Sequence, residues 1–369
     1  MMPADLLREG EHLLTVCNAC RYCEGYCAVW KAMERRLVFK ENDLNYLANL
    51  CHNCGECYYS CQYSPPHEFD INPPKTFAKI RKYSYELYAW PGPLGKAFRK
   101  NGLLVSLLMA AVLTGFLLAT SLLAGGRLWK PVRGGDFYQI VPHEAMALTF
   151  GAVGLFSALA LLMGFLRFWR DTRSNIRSNM GGTYSELANS AALALTLKDV
   201  LRLKNLDNGG AGCAYPGAKS SQWLRRFHHA TFYGFLACFV ATTLGAIDYY
   251  ALGRHLPPGY ASWPVIFGTL GGIGLIIGPI GLLALKQRRN RDIVDQSQQG
   301  MDVSFIVLLI AISSSGLLLL LLRESAAIGT LLVVHLAFVM TLFLTMPYGK
   351  FVHGIYRAAA LLRWSLERS

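Results

Sequence analysis

The sequence CNACRYCEGYC at residues 17–27 returns, with the same cysteine spacing, as CHNCGECYYSC at residues 51–61. Both runs follow the pattern C-x2-C-x2-C-x3-C of bacterial ferredoxins, in which three thiolates of a tight turn hold three irons of a [4Fe–4S] cubane. In two-cluster ferredoxins the fourth thiolate of each cluster comes from the other motif. We therefore predict two clusters, with the ligands Cys17, Cys20, Cys23 and Cys61 for cluster 1 and Cys51, Cys54, Cys57 and Cys27 for cluster 2.

Zinc and disulfides are the competing interpretations of these cysteines. Zinc sites usually use cysteine pairs, and runs of four at this spacing are not typical of them. Residues 1–16 contain no apolar stretch of the kind found in a signal peptide, so we expect the cysteines to stay in the cytoplasm, where disulfides are disfavoured. Of the two cysteines outside the motifs, Cys238 is expected to pack as a small apolar residue, whereas Cys213 could approach a cofactor.

The apolar residues of the chain are unevenly distributed. Of the 369 residues 53% are hydrophobic and only 16% are charged, and the long apolar runs all lie after residue 100. The first hundred residues carry 13 basic against 11 acidic side chains. The net charge of +13 comes from loops between apolar runs, which is typical of membrane topology and argues against nucleic-acid binding. We predict a cytoplasmic ferredoxin-type helical domain at 1–100 and a membrane domain at 101–369.

Six stretches are long and apolar enough to span a bilayer as helices. They lie at about 102–124, 144–166, 230–250, 264–285, 303–322 and 328–347. If the N-terminus is inside, the inner loops 167–226, 286–302 and 348–369 hold 18 basic residues and the outer loops hold 5. The positive-inside rule therefore predicts six spans with both termini in the cytoplasm of a bacterium, and the fold class is mainly α.

The cytoplasmic loop at 168–226 is too long to be a simple connection. Its segment 185–206 mixes apolar and charged residues without helix breakers, which predicts an amphipathic helix near the inner membrane surface. A glycine-rich turn follows at 208–217. This segment has neither the strand nor the lysine of a phosphate-binding loop. We therefore interpret it as a structural turn or as a surface that touches the N-terminal domain.

Histidines within or beside membrane spans indicate function, because an ionisable group is costly there. The proposed topology sorts them into an outer level, with His143 and His335, and an inner level, with His353 and either His228 or His229. His335 and His353 are 18 residues apart, which is five turns if they share one helix. Two facing pairs would suit axial ligands of one or two b-type haems, whereas the competing interpretation is histidines that bind no metal. The choice between His228 and His229 stays open here.

Several motifs of this chain resemble the tricarballylate utilization protein B family. The resemblance covers essentially the whole chain and rests on the two cysteine motifs and on PPHEF at 65–69, Gly212-Cys213, RRFHH at 225–229 and MPYGKFVH at 346–353. The last of these, with histidines 18 residues apart, is also similar to the cytochrome b gamma subunit of nitrate reductase.

The resemblance implies a membrane electron-transfer partner of a soluble, FAD-dependent tricarballylate dehydrogenase. The chain would pass electrons from the reduced flavin through the clusters and haem b to the quinone pool, and would dehydrogenate no substrate itself. Two alternatives are an electron-transfer anchor of a different carboxylate dehydrogenase and a redox-sensing membrane transporter. A transporter would need broken helices in inverted repeats, which the sequence does not display.

Overall fold

The computed structural model describes residues 2–98, 102–123, 125, 127–179, 190–207, 212–254 and 258–368, and these are mainly α-helical. The helices before residue 100 are α1 Ala4–Cys20, α2 Ala28–Met33, α3 Glu41–Leu50, α4 Glu56–Tyr59, α5 Pro73–Tyr88 and α6 Gly92–Phe98. They are followed by α7 Gly102–Leu123, α8 His143–Asn179, α9 Ser190–Leu201, α10 Trp223–Tyr250, α11 Trp263–Gln287, α12 Gln296–Leu321, α13 Ile328–Thr345 and α14 Val352–Arg368. A short antiparallel hairpin pairs β1 Cys213–Ala214 with β2 Ser220–Ser221.

Six of these helices are long and apolar enough to cross a membrane. The candidate spans are Leu104–Leu123, His143–Arg173, Trp223–Tyr250, Trp263–Gln287, Gln296–Leu321 and Ile328–Thr345. Large apolar side chains on their outer faces are exposed, among them Leu122, Leu148 and Phe239. An apolar surface of this extent is suited to lipid and not to water.

The loops between the spans gather at two opposite ends of the bundle. At one end, Arg323 donates to the carbonyl oxygen of Pro258 (3.1 Å) and its backbone contacts Gly135. At the other end, the loop after α11 meets the N-terminal domain, where Asn72 donates to the carbonyl oxygen of Asp292 (2.9 Å) and Gln298 donates to that of Ala78 (2.9 Å). Loops with the larger basic charge thus lie beside the cysteine-rich domain, which we call the head.

The C-terminal helix α14 belongs to the core of the head. Its apolar residues pack in one cluster with Leu44, Leu47 and Phe77 of α3 and α5. Near its end, Glu367 is buried and forms ion pairs with Arg36 and with Arg363 (3.0 Å), while Arg36 also binds Asp43 (2.8 Å). The core of the head therefore includes residues from beyond the expected boundary near residue 100, because the 17-residue helix α14 packs in it.

Helix α8 also connects the two parts. It has 37 residues and is about 55 Å long, well beyond the ~30 Å of a bilayer core. Toward the C-terminal end of α8, the ring of Phe168 stacks on Tyr356 of α14 (5.2 Å between centroids), and Asp171 accepts a hydrogen bond from Tyr88. The head is therefore anchored on two helices that leave the bundle.

The expectation that His335 and His353 share one helix is wrong. Helix α13 ends at Thr345, turns occupy residues 346–351, and α14 begins at Val352. Pro347 lies in this break, and a proline has no N–H to donate to the carbonyl oxygen four residues earlier, so it cannot continue the helical hydrogen bonds. The two histidines are thus held by separate elements, and their spacing along the sequence does not set a common face.

The amphipathic segment expected at 185–206 contains helix α9, while residues 185–189 lie outside the described residues. Thr196 and Asp199 of α9 face α14, where they bind Ser365 (3.0 Å) and Arg368 (3.0 Å). Leucines of the same helix, such as Leu197, are exposed. This arrangement leaves an apolar strip outside the protein, as expected of a helix at a membrane surface.

Small residues bring α10 and α11 into close contact. Gly271, Gly274, Gly278 and Gly281 of α11 all abut the backbone or side chains of α10. A Cβ atom at Gly278 would lie 2.4 Å from Thr231 Oγ1, and one at Gly281 would lie 2.3 Å from the ring of Phe227. Contacts of this kind are typical of membrane helix pairs, and they set the position of α10 and of the histidines at its start.

We expect Gly278→Leu to destabilise the protein by about 1–3 kcal/mol, because the new side chain forces α10 and α11 apart. The measurement is thermal unfolding of the purified protein in detergent. Gly245→Leu is the matched control, since a Cβ atom at that position of α10 has nothing within 4 Å. Equal melting temperatures for the two variants would contradict the close packing.

Candidate metal and cofactor centre

The residues of cluster 1 surround a cavity of about 250 Å³ at the surface of the head. Cys17 and Cys20 lie in the last turn of α1, and Arg21 (φ 54°) reverses the chain so that Cys23 comes back toward them. Cys61 follows α4 and contributes to the same cavity. The structure thus brings together the four cysteines that the sequence assigns to cluster 1.

The residues of cluster 2 line a second cavity, deeper in the head and walled by Val29 and Phe77. Cys27, the N-cap of α2, lies beside Cys51 and Cys54 of the other motif. Cys57 lines both cavities, so the two sites share a wall. Each motif therefore has three cysteines at one cavity and its fourth at the other.

The donor set fits iron–sulfur clusters better than single ions. Among the described residues there is no group of three or more ligating side chains close enough to hold one metal ion. Burial and neighbouring cysteines raise the pKa of the Cys17 thiol, and the same two causes raise the pKa of Cys23 to about 12. Deprotonating such thiols together costs free energy that bound iron offsets, and a cubane separates its four sulfurs around a cavity.

The loop of the second motif is held by residues from the bundle. Gly55 has a positive φ of 91°, and a Cβ atom there would lie 2.9 Å from the carbonyl oxygen of Ala214 in β1. Arg289 donates to the backbone oxygen of Asn53 (2.9 Å) and packs on the ring of Tyr215 (4.7 Å). The glycine-rich region after residue 211 is thus a clamp on cluster 2, while residues 208–211 lie outside the described part of the chain.

Cys213 lies in this clamp, is fully buried and packs against Cys54. The interaction with Cys213 lowers the pKa of Cys54, and the same interaction raises that of Cys213. The Cys213 thiol donates to the carbonyl oxygen of Leu206 at a sulfur–oxygen distance of 3.5 Å. Cys213 is therefore a buried thiol beside a proposed cluster ligand, whereas Cys238 lies within α10 against Gly271.

His228 and His353 face each other at the end of the bundle beside the head, with ring centroids 6.1 Å apart and ring planes at 38°. Two imidazoles bound to one metal through bonds of about 2 Å, each with a ring radius of about 1.1 Å, have centroids about 6 Å apart. The Nδ1 atom of His353 lies 2.6 Å from the carbonyl oxygen of Lys350, which orients the ring and leaves Nε2 for a metal. Burial and Arg357 hold the pKa of His353 well below its ordinary value, so the ring is neutral, as a ligand must be.

The structure places His228, and not His229, opposite His353. His229 points to another face of α10, where its ring lies 5.7 Å from that of Tyr233. Consecutive helical residues project about 100° apart, so one helix offers only one of the two to a given neighbour.

The outer histidines have different surroundings. The ring of His335 lies against Gly316 of α12, and its Nδ1 is 3.1 Å from Ser315 Oγ. The ring of His143 stacks on Tyr249 at 3.8 Å. None of the ring contacts described joins these two histidines, and an outer haem site stays a prediction.

His52, Arg81 and Arg357 are site residues that the sequence analysis missed. His52 follows Cys51 directly and faces both His228 and His353. Arg357 and Arg81 donate to the backbone oxygen of Cys51 (2.8 and 3.3 Å). A histidine inside the second motif was the one available signal, whereas the two arginines are distant in sequence and only the fold brings them to the site.

The fold and the site define an α-helical protein with six potential membrane spans, whose ferredoxin-like head lies against a histidine pair at one end of the bundle. The family model described as citrate utilization protein B matches residues 97–369, and that of the citrate utilization protein B Fer4-like domain matches residues 10–86. Citrate utilization protein B of Escherichia coli is 47% identical over 361 residues, which cover 98% of this chain and 92% of the relative. No solved structure matches the chain.

The chain belongs to the citrate utilization protein B family, and the family resemblance seen in its motifs is confirmed. The Fer4-like description of the N-terminal match agrees with iron–sulfur ligation by the cysteines of the head.

Proposed function

We propose that this protein transfers electrons from a soluble flavoprotein dehydrogenase to quinone in the bacterial inner membrane. The flavoprotein would be the FAD-dependent tricarballylate dehydrogenase implied by the family resemblance, or the dehydrogenase of another carboxylate in the citrate utilization that the name of the E. coli relative indicates. Two electrons would pass from the reduced flavin to quinone, while the flavin releases two protons to water and the quinone takes up two protons from water to become quinol. The head and both termini would face the cytoplasm.

One observation carries this proposal, namely that the candidate redox sites adjoin one another in order. The cavity of cluster 1 opens at the head surface and shares Cys57 with the cavity of cluster 2, and His52 of the second motif lies close enough to the histidine pair to interact with it electrostatically. Clusters supply one-electron transfer when bound, and haem b does the same. The eight motif cysteines would hold the clusters, and His228 and His353 would hold the inner haem.

The head and the membrane spans would have different roles in this arrangement. Residues 1–100, with α14, would receive electrons on the cytoplasmic side, and the six spans would hold haem and give quinone access from the lipid. A second haem between His143 and His335 would extend the same path toward the outer face.

The test uses membranes that contain the full-length protein, the purified flavoprotein, tricarballylate and a soluble quinone analogue. We expect quinone reduction that requires both proteins and is lost in Cys54→Ser. Uptake of tricarballylate by the membranes without the flavoprotein, with no quinone reduction in its presence, would instead support the transporter alternative. Replacing tricarballylate by another carboxylate, with its own flavoprotein dehydrogenase, identifies the upstream substrate.

We expect Cys213→Ala to lower the reduction potential of cluster 2 by roughly 20–60 mV, because it removes the thiol that can turn from the Leu206 carbonyl oxygen to the ligand sulfur of Cys54. A hydrogen bond of about 0.5–1.5 kcal/mol to that sulfur would stabilise the more negative, reduced cluster. A redox titration followed by EPR measures the shift. Cys213→Ser keeps a donor and should stay near the wild-type potential, and Cys238→Ala is the control outside the site. An unchanged potential in Cys213→Ala would show that the thiol does not act on the cluster.

A further inference from the structure

A cation-rich group of side chains, which we call the pocket, lies between the second cysteine motif and the inner histidine pair. Arg81 and Tyr85 of α5 are 2% and 3% exposed, and both interact with the half-buried Arg357 of α14. Arg357 is one helical turn from His353, so both side chains project from the same face of α14. The pocket therefore adjoins the histidine pair directly.

Several polar atoms in this pocket have no partner among the described residues. Arg357 Nε, Tyr85 Oη and His228 Nδ1 are all buried without a hydrogen bond. Leaving a buried donor unsatisfied is unfavourable, most of all when the group is charged. The two donors among these atoms, Arg357 Nε and Tyr85 Oη, favour a ligand with acceptor oxygens.

Arg357 has no acidic partner among the ion pairs of α14 in the described part of the chain. It interacts electrostatically with Arg81, Tyr85, the Cys51 thiol and the three histidines of the site. Buried or half-buried arginines elsewhere on α14 differ, since Arg363 pairs with Glu367 and Arg368 pairs with Asp199. A buried guanidinium without a counter-ion is strongly unfavourable.

Part of this charge is compensated by the end of α3. Arg81 donates to the carbonyl oxygen of Ala48 (3.0 Å), and both arginines donate to that of Cys51. The negative end of a helix dipole stabilises a nearby cation only modestly. It does not replace a counter-ion for two neighbouring guanidinium groups, and this favours an anion at the site.

The geometry points to a carboxylate-binding pocket formed by Arg81, Tyr85 and Arg357, whose ligand is a propionate of the haem held by His228 and His353. The fork of Arg357 matches the two oxygens of a carboxylate, and the Tyr85 hydroxyl supplies a further donor. This inference rests on the proposed haem site. The same carboxylate chemistry could also come from a free tricarboxylate, and the experiment separates the two sources.

The experiment compares full-length protein in detergent carrying Arg357→Gln, Arg357→Lys or Tyr85→Phe. Arg368→Gln is the matched control, because it removes an arginine from the same helix that is paired with Asp199. Haem content, the rate of haem loss to apomyoglobin and the EPR spectrum of the clusters are measured for each. We expect Arg357→Gln to lose haem about tenfold faster, Arg357→Lys and Tyr85→Phe to show smaller effects, and the control to match the wild type.

The outcomes decide both the site and its ligand. Faster haem loss with unchanged cluster spectra supports a propionate in the pocket. Unchanged haem loss with an altered cluster spectrum in Arg357→Gln would mean that the arginine compensates the cluster charge, and the inference would be overturned. Saturable binding of citrate to the wild type by calorimetry, lost in Arg357→Gln, would assign the pocket to a free carboxylate. Wild-type protein without haem would refute the haem assignment of the proposed function, and absence of citrate binding as well would refute the pocket.

Discussion

Cys27→Ser should abolish cluster 2 and leave cluster 1 in place, although Cys27 belongs to the first motif in sequence. Cys27 is the N-cap of α2, and this position directs its thiol into the cavity formed by the second motif, beside Cys51 and Cys54. Serine is a poor ligand of cluster iron, so the cluster that depends on residue 27 should be lost. We expect roughly half of the iron to remain, with one of two EPR signals.

The matched control is Cys20→Ser, which lies in the same motif but lines the other cavity. It should have the complementary effect, with cluster 1 lost and cluster 2 retained. If both variants lose the same EPR signal, each motif supplies all four ligands of its own cluster, and the exchange of the fourth cysteine between motifs is wrong.

His353→Ala should remove the inner haem. The ring faces His228 at a centroid distance of 6.1 Å, and its Nδ1 is held by the Lys350 carbonyl, so no other side chain of α14 can replace it as an oriented ligand. We expect the dithionite-reduced b-type absorbance of the purified protein to fall by half if two haems are bound, and to vanish if there is one.

His229→Ala is the control for this prediction, because His229 has the same neighbours in sequence as His228 but lies against Tyr233. Its spectrum should match that of the wild type. A variant His229→Ala that loses haem, together with a His353→Ala variant that keeps it, would place the inner haem on a different ligand set.

Local sequence was enough to locate the two cysteine motifs and the six apolar helices. A cubane requires closely spaced thiolates, and a membrane span requires about 20 apolar residues in succession. Both features can therefore be recognised from residues that are neighbours in the sequence. The choice between His228 and His229 could not be made in this way. It depends on the rotation of α10, which close contacts such as Gly278 with Thr231 set against α11.

The composition was least informative about the packing of the C-terminal residues. Residues 348–369 read as an inner tail of the membrane domain, yet α14 is buried in the head, where Glu367 meets Arg36 and Arg363. The break before it, at residues 346–351, separates His335 from His353 and turns His353 toward α10. Charged residues in a short helix give no indication that their partners lie more than 300 positions earlier in the chain.

By itself, then, the sequence determined that this protein has eight cysteines in ferredoxin spacing and six apolar helices, because each of these features depends on residues that are near neighbours in the chain. Tertiary structure alone decided that His228 faces His353, that Cys213 lies beside Cys54, and that Arg81, Tyr85 and Arg357 lie close to them. These contacts join segments far apart in sequence. They are set by the packing of α5, α10 and α14 around the head, which no local pattern encodes.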